Sequence, residues 1–221
     1  MENQPTIEDL KAIAKQLSCP EGEHGVKTGE VMNVNNIGMT QAAIDALSLQ
    51  PHDHILEIGP GNAGHLAYLL KKASNLQYQG ADISETILAE ARKINEPFIA
   101  AAQASFELTD GETLPFPSDS FEKIFTVNTL YFWKNTGDYL QEIERVLKPD
   151  GLFVLCFADK TFMEKLPFTP YGFQLYNLSE SESLLVRNGF NVIKKITNTE
   201  EINSNAGFKV TRDYHVIIAK R

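Results

Sequence analysis

Cysteine is scarce in this 221-residue chain, and the spacings typical of metal ligands are missing. The two cysteines, Cys19 and Cys156, lie far apart in sequence and form no CxxC pair, and the five histidines show no HxxxH spacing. Zinc sites in proteins are built from Cys and His ligands at such short spacings. We therefore predict no metal site, and we interpret Cys156, inside the apolar run LFVLCFA, as a small buried hydrophobic residue.

Long apolar runs and clusters of basic residues are also missing. No apolar run approaches the roughly 20 residues that span a bilayer, and the polar, amphipathic residues 1–17 are not typical of a signal peptide. The chain has 20 Lys and Arg residues against 29 Asp and Glu residues, a net charge of −9. Because nucleic-acid binding depends on basic side chains that release counterions, this charge disfavours a nucleic-acid substrate. We expect a cytoplasmic protein.

Glycine, in contrast, is concentrated in one place. The stretch HILEIGPGNAGHL, residues 54–66, contains G-x-G-x-x-G between a predicted strand and a predicted helix. In this motif Gly59 permits a sharp turn, Gly61 lets a ligand approach the backbone, and Gly64 permits close packing of helix on strand. Free N–H groups in the first turn of the helix favour a ligand that carries negative charge. The motif therefore predicts a nucleotide-type ligand.

Predicted strands and helices alternate from residue 54 onward. The strands are apolar rather than two-faced, which indicates a parallel sheet covered on both sides. The last two strands have no helix between them, so we expect them to pair antiparallel, joined by a loop that contains Gly, Asn and Ser. Strands are predicted at residues 54–59, 76–83, 105–110, 121–128, 151–158, 190–198 and 213–221. Helices are predicted at residues 6–16, 40–47, 64–72, 85–94, 138–147 and 180–188, with residues 18–36 irregular, residues 95–104 poorly defined and residues 159–177 forming an insertion or lid.

Acidic residues near the strand ends narrow the choice of ligand. Asp82 follows the glycines by about 20 residues, the distance expected of a carboxylate that binds a ribose diol. To this point a dinucleotide enzyme and an S-adenosylmethionine enzyme fit equally well. Glu57 would oppose a pyrophosphate but tolerate a cationic amino group, and Asp110 could accept from an adenine amine. With an antiparallel last pair of strands and no second substrate domain expected, the residues favour a methyltransferase over a nicotinamide-dependent oxidoreductase.

Four segments carry a resemblance to a known family: ILEIGPGNAG, ADIS, LTDGETLPFPSDSFEKIF and EIERVLKPDG. Because these four segments occur in this order and spacing, residues 53–151 resemble class I S-adenosylmethionine-dependent methyltransferases, of the group that includes ubiquinone and menaquinone biosynthesis enzymes. The resemblance implies an α/β fold, Rossmann-like, with a seven-stranded, mostly parallel sheet in the order 3-2-1-4-5-7-6. Strand 7 would be antiparallel, with helices on both faces. We expect residues 1–50 to form a helical extension that caps the cofactor site, and residues 51–221 to form the methyltransferase domain.

The resemblance also implies roles for the residues around the methionine portion of S-adenosyl-L-methionine. The backbone at Gly59 and Gly61 would face this portion of the cofactor. Glu57 would support its amino group, and Asn128 would lie beside its methionine end.

A second set of residues would hold the nucleoside. By the resemblance, Asp82 binds the ribose hydroxyls and Ile83 packs on the adenine. Asp110 accepts from the adenine amine, while Gly111 or Glu112 donates a backbone N–H to the ring.

The methyl acceptor is expected to be a small molecule. A sulfonium is already a strong methyl donor, and in-line positioning of the acceptor can lower the activation barrier by roughly 7–11 kcal/mol. A dedicated base is therefore not required, and the sequence identifies no catalytic residue. Candidate neighbours of the acceptor, each of which could instead have a purely structural role, are Tyr131, Trp133, Tyr171, Phe173, Tyr176, residues 32–36 and, least favoured, His24; His65 is interpreted as a solvated or capping residue. Two alternatives remain open: an NAD-dependent oxidoreductase, and a regulatory protein that binds S-adenosylmethionine without turnover. The oligomeric state is not predicted.

Overall fold

The computed structural model describes residues 5–203 and 209–221 as eight α-helices and one seven-stranded sheet. The helices are α1 (Ile7–Ser18), α2 (Gly22–Ala46), α3 (Leu66–Leu70), α4 (Glu85–Ile94), α5 (Glu96–Ala100), α6 (Thr136–Val146), α7 (Lys160–Met163) and α8 (Leu178–Arg187). The strands are β1 (His54–Ile58), β2 (Gln77–Asp82), β3 (Ala104–Leu108), β4 (Phe121–Val127), β5 (Leu147–Ala158), β6 (Asn191–Asn203) and β7 (Lys209–Lys220).

The strand order is β3-β2-β1-β4-β5-β7-β6, and this confirms the predicted fold class. The first five strands pair parallel, whereas β7 runs antiparallel to both β5 and β6. The apolar residues of the central strands are buried because helices cover the sheet. Since parallel strands share a direction, the carboxyl ends of β1 to β4 meet at one edge, where a ligand can bind.

Helix α2 contradicts the prediction that residues 18–36 are irregular. It is one continuous helix of 25 residues, although glycine and asparagine are poor helix formers. Three of its four glycines lie at close contacts. For example, a Cβ atom on Gly25 would lie 2.6 Å from the carbonyl carbon of Pro20, and one on Gly29 would lie 2.1 Å from Cδ1 of Ile87. Tertiary packing therefore selects small residues here and stabilises a helix that local preference does not predict.

Other boundaries differ for similar reasons. Helix α3 begins two residues later than predicted, and α5 forms where residues 95–104 had no clear pattern. β6 and β7 extend beyond the predicted strands, with Asn203 paired to Lys209, because a long antiparallel ladder continues where a loop was expected. The remainder of that predicted loop, residues 204–208, lies outside the described residues.

Two negative findings concern the part of the chain that the structure describes. Within it, no helix is both long and apolar enough to cross a membrane. The same residues contain no group of three or more His, Cys, Asp or Glu side chains that could hold a metal ion.

Candidate cofactor site

A cavity lies at the carboxyl ends of β1, β2 and β4 and beneath α2. Of the nine residues that the sequence predicted for the cofactor, seven line this cavity and two, Asp110 and Glu112, do not. The seven are Glu57, Gly59, Gly61, Asp82, Ile83, Gly111 and Asn128.

The glycine turn after β1 leaves room on one side only. Gly59 has a φ of +70°, and a Cβ atom on it would lie 2.3 Å from Cγ2 of Thr129. Gly61 has a φ of +56°, and a Cβ atom there would meet nothing within 4 Å, so its face is open to the cavity. Gly64 was expected to let its helix pack closely on the strand, but its close neighbour is on α2. A Cβ atom on Gly64 would lie 2.9 Å from Nδ2 of Asn33. Gly64 therefore lets the covering helix approach the turn.

At the end of β2, Asp82 and Ile83 face the cavity together. The backbone N–H of Ser84 donates to Oδ1 of Asp82 at 3.0 Å. Burial raises the pKa of Asp82 to about 6, although this hydrogen bond favours the charged form. Ile83 is 41% exposed although it is apolar, which gives the cavity a flat hydrophobic surface beside the carboxylate.

A buried cluster orients Glu57, the other carboxylate in the cavity. Nε2 of His65 lies 2.7 Å from Oε2 of Glu57, and the Tyr78 hydroxyl donates to the same oxygen at 2.5 Å. Burial, with the nearby Glu57 carboxylate, raises the pKa of Tyr78 well above its usual value. The interpretation of His65 as solvated or capping is wrong: it is buried, makes no cap hydrogen bond and lines the cavity. Its position eight residues after Glu57, directly after the glycine motif, was the available signal.

The carboxylate of Asp110 is engaged in its own turn. It accepts hydrogen bonds from the backbone N–H groups of Glu112 and Thr113 at 2.8 and 2.7 Å, and these bonds lower its pKa. Glu112 forms an exposed ion pair with Lys134 at 3.0 Å. After β3, the cavity is lined instead by Thr109 and Gly111.

Asn128 has a left-handed backbone, with a φ of +60°, and its side chain joins two strand ends. Its Oδ1 accepts from the Tyr131 hydroxyl at 3.0 Å and from the backbone N–H of Ala158 at 3.1 Å. Burial raises the pKa of Tyr131, which is not part of the cavity lining. Asn128 therefore maintains the shape of this end of the cavity.

The aromatic candidates for acceptor contact separate into two groups. Trp133 lines the cavity and packs edge-on against Tyr139, with ring centroids 5.0 Å apart. Residues 159–177, the predicted lid, do not line it. Phe173 of that segment packs instead against Phe132, with centroids 4.7 Å apart, and Phe132 lines the cavity. Tyr171 and Tyr176 do not reach the cavity, and His24 lies exposed outside it.

Sequence reasoning missed most of the cavity's covering wall. Within the predicted segment 32–36, Met32, Asn33 and Asn36 line the cavity. The α2 residues that face it are at positions 29, 32, 33, 36 and 40, which is one stripe of a helix. This 3.6-residue period was visible in the sequence, but apart from Met32 the stripe consists of small and polar residues. Lining residues that the sequence analysis did not identify include Gly29, Thr40, Thr109 and Tyr139.

Comparisons with known proteins agree with this geometry. Residues 56–155 match a family model described as a methyltransferase domain. The chain is 30% identical over 124 residues to the uncharacterized methyltransferase YdaC of Bacillus subtilis (strain 168), an alignment that covers 56% of this chain and 66% of YdaC. It is 29% identical over 131 residues to the ubiquinone/menaquinone biosynthesis C-methyltransferase UbiE of Rickettsia bellii (strain OSU 85-389), covering 58% and 52% of the two chains. The chain spans between about a third and two thirds of the length of the curated relatives that it matches.

A solved structure extends the likeness over most of the chain. Phosphoethanolamine N-methyltransferase 2 of Haemonchus contortus, in complex with phosphomonomethylethanolamine and S-adenosylhomocysteine, superposes with a TM-score of 0.68 at 17% identity. The superposition covers 96% of this chain and 60% of that chain, and at this identity it shows a shared fold. The strand order, the glycine turn and the sequence relatives together identify residues 56–155 as a methyltransferase domain, in a chain with the fold of S-adenosylmethionine-dependent methyltransferases.

Proposed function

We propose that this protein transfers a methyl group from S-adenosylmethionine to a small-molecule acceptor. The observation that supports this most directly is the open face of Gly61, in a cavity that also contains the carboxylates of Glu57 and Asp82. A nucleoside that carries an amino acid offers hydroxyl groups to one carboxylate and an ammonium group to the other. Hydrogen bonds to charged groups of this kind contribute about 1.5–3 kcal/mol each.

The residues present fit the cofactor in several respects. In this proposal Asp82 accepts from the ribose hydroxyls, Ile83 covers the adenine, and the Gly111 backbone lies beside the ring. The predicted role of Asp110 toward the adenine amine stays a prediction, since its carboxylate already accepts two backbone N–H groups. Glu57 uses Oε2 for His65 and Tyr78, which leaves Oε1 for an ammonium group.

The chemistry asks little of this chain beyond positioning. The cofactor, when bound, supplies an electrophilic methyl group on its sulfonium. The protein's part is to hold the acceptor in line with that methyl group and to exclude water. Met32, Phe132 and Trp133 give the cavity an apolar lining that serves this purpose. The ionisable residues of the described lining are Glu57, His65, Asp82 and Tyr139, and burial raises the pKa of Tyr139, so we assign no general base.

Of the two alternatives, the charge of the cavity disfavours the NAD-dependent oxidoreductase. A dinucleotide carries a pyrophosphate, but the described residues that line the cavity include two carboxylates and no Lys or Arg. A regulatory protein that binds the cofactor without turnover would have the same cavity, so an activity assay must distinguish it.

We further propose that residues 1–50 cap the cofactor site, since α2 lines the cavity. The cytoplasmic location stays a prediction from the sequence.

The test is a calorimetric titration with S-adenosylmethionine, S-adenosylhomocysteine and NAD, followed by methyl-transfer assays with a panel of small acceptors. We expect both sulfur compounds to bind and NAD not to bind. Absence of heat with both sulfur compounds refutes the proposal. Tight binding without transfer to any acceptor favours the regulatory alternative.

A further inference from the structure

Helix α2 crosses the cavity, and its successive turns lie over successive strand ends. Gly29 packs on α4, which follows β2, and Asn33 lies against Gly64, after β1. Further along, Sδ of Met39 lies 3.5 Å from Nδ2 of Asn128, after β4. Met39 lies ten residues after Gly29, a distance of about 15 Å along the helix at 1.5 Å per residue. The helix therefore runs from the β2 side of the cavity to the β4 side.

This order separates the space for the cofactor from the space beyond it. In the proposed function the ribose lies at β2 and the methionine portion at the glycine turn after β1. Since β4 is the next strand in the sheet, the space at its carboxyl end lies beyond the reacting sulfur. Two residues of α2, Asn36 and Thr40, line the cavity on this side of Asn33.

Thr40 has hydrogen-bonding capacity that the protein does not use. Its side chain lines the cavity although the residue is only 7% exposed. Among the described residues its hydroxyl forms no hydrogen bond. The hydroxyl is also not fully enclosed, because the fully enclosed side-chain polar atom without a partner in that part of the chain is Oγ of Ser181. A polar group this well enclosed is normally satisfied, by protein or by a ligand. The Thr40 hydroxyl is therefore available to a molecule in the cavity.

Asn36 can also bind a molecule in the cavity, and Arg212 orients its carboxamide. Nη1 of Arg212 donates to Oδ1 of Asn36 at 3.0 Å, so the amide nitrogen is the group left to donate elsewhere. Arg212 itself is 5% exposed and donates to the Asn35 carbonyl at 2.7 Å. Its Nε and Nη2 also donate to Oε1 of Glu200, at 3.0 and 2.5 Å. The guanidinium is thus paired with a carboxylate and turned toward α2.

The charge around these two residues restricts what they can bind. The described lining contains no Lys or Arg, and its carboxylates are Glu57 and Asp82. Arg212 is the nearby cation, but Glu200 neutralises it. A phosphate or carboxylate placed here would lose its hydration without gaining a cationic partner.

We propose that Asn36 and Thr40 form the acceptor subsite, and that it takes a molecule that has a hydroxyl or carbonyl oxygen and carries no negative charge. Asn36 Nδ2 donates to that oxygen, and the Thr40 hydroxyl donates to or accepts from the same molecule. This inference rests on the proposed function, since it assigns the second half of the same cavity.

Cysteine labelling tests both the position and the charge of the subsite. Asn36→Cys and Asn33→Cys are each made in a Cys19→Ser background, because Cys19 is partly exposed whereas Cys156 is buried. Each variant is labelled with methyl, 2-sulfonatoethyl or 2-trimethylammonioethyl methanethiosulfonate, which are uncharged, anionic and cationic. Rates are followed by intact-protein mass spectrometry, with and without saturating S-adenosylhomocysteine, and divided by the rates for free cysteine.

We expect S-adenosylhomocysteine to slow labelling at position 33 at least tenfold and at position 36 less than threefold. At position 36 the anionic reagent should react at least tenfold more slowly than the uncharged one. Equal protection at the two positions assigns Asn36 to the cofactor site and overturns the inference. An anionic reagent that reacts as fast as the uncharged one overturns the charge assignment.

A control variant and a replacement variant complete the test. Thr40→Val preserves shape and should leave the affinity for S-adenosylhomocysteine within twofold; a tenfold loss would place Thr40 in the cofactor site. If Asn36→Cys does not fold, Thr40→Cys is labelled instead, with the same expected order. Absence of S-adenosylhomocysteine binding to the unmodified protein would refute the proposed function, whereas the order of the three reagents without ligand still tests the charge of the subsite.

Discussion

Nε2 of His65 lies 2.7 Å from Oε2 of Glu57, and this contact orients one of the two carboxylates in the cavity. Both side chains are almost completely buried, with 4% and 3% of their surfaces exposed. Because the Tyr78 hydroxyl occupies the same oxygen, Oε2 is committed to the protein and Oε1 is the atom left for a ligand. The pair therefore converts a buried carboxylate into a directed binding group.

The first prediction concerns the charge of that group. Glu57→Gln retains a hydrogen-bond acceptor but removes the negative charge that would face the cofactor's ammonium group. We expect the affinity for S-adenosylhomocysteine to fall at least tenfold, about 1.4 kcal/mol, measured by calorimetry. Glu107→Gln, on β3 and exposed outside the cavity, is the matched control and should change the affinity less than twofold. Equal affinities for the wild type and Glu57→Gln would remove Glu57 from the site.

A second prediction uses the open face of Gly61. Gly61→Ala puts a methyl group into the cavity and costs about 1–2 kcal/mol of stability through its positive φ. We expect it to weaken S-adenosylhomocysteine binding at least thirtyfold. Gly189→Ala is the control, because Gly189 also has a positive φ, +90°, and open space around it, but lies outside the cavity. It should lose similar stability in urea unfolding and bind normally; weakened binding there would mean that backbone strain alone explains the loss.

The third prediction is a pH dependence that arises from Asp82. Its carboxylate has a pKa raised to about 6, and ribose hydroxyls donate to the ionised form. As the pH falls through 6 the group takes up a proton, so the affinity for S-adenosylhomocysteine should decrease, by about tenfold between pH 7 and pH 5. Asp82→Asn should bind at least tenfold more weakly at pH 7 and show a flat profile over this range. A wild-type profile equally flat would contradict the assignment of Asp82 to the ribose.

The fourth prediction tests the attachment of α2 to the end of the sheet. Arg212→Gln removes a buried cation and leaves the Glu200 carboxylate, 20% exposed, without its partner. Breaking a buried ion pair in this way costs about 3 kcal/mol or more in the free energy of unfolding. The double variant Arg212→Gln, Glu200→Gln removes both charges and should recover at least half of that loss in urea unfolding. Strictly additive effects of the two substitutions would show that the pair is not coupled.

Local sequence patterns were sufficient for the sheet and for the turn after β1. Each central strand is a short run of apolar residues bounded by turn residues, so its position depends little on distant contacts. Asp82 is the last residue of β2 and Ile83 follows it directly, which places both at the ligand-binding edge once the strand is recognised. Helix α4 agrees with its prediction because Ser84 caps it, with its hydroxyl accepting from the backbone N–H of Ile87 at 3.2 Å.

Distant contacts explain the failures. The glycines of α2 look like loop residues until Pro20 and Ile87 are seen beside them. His65 looks solvated until the fold puts Glu57 next to it. Asp110 lies at the expected strand end, but its carboxylate is used by the turn that follows, a local choice that the residue type does not reveal.

The sequence by itself determined the fold class, the resemblance to methyltransferases, the glycine turn and the acidic residues near the carboxyl ends of the first two strands. These features depend on residues close together in the chain, where spacing and residue type carry the physics. Only the tertiary structure decided that a glycine-rich segment becomes a covering helix, that His65 and Tyr78 orient Glu57, and that Asn36 and Thr40 face the cavity beside an ion pair on β6 and β7. Those arrangements join residues up to 177 positions apart, as in the bond from Arg212 to the Asn35 carbonyl, and packing rather than local preference selects them.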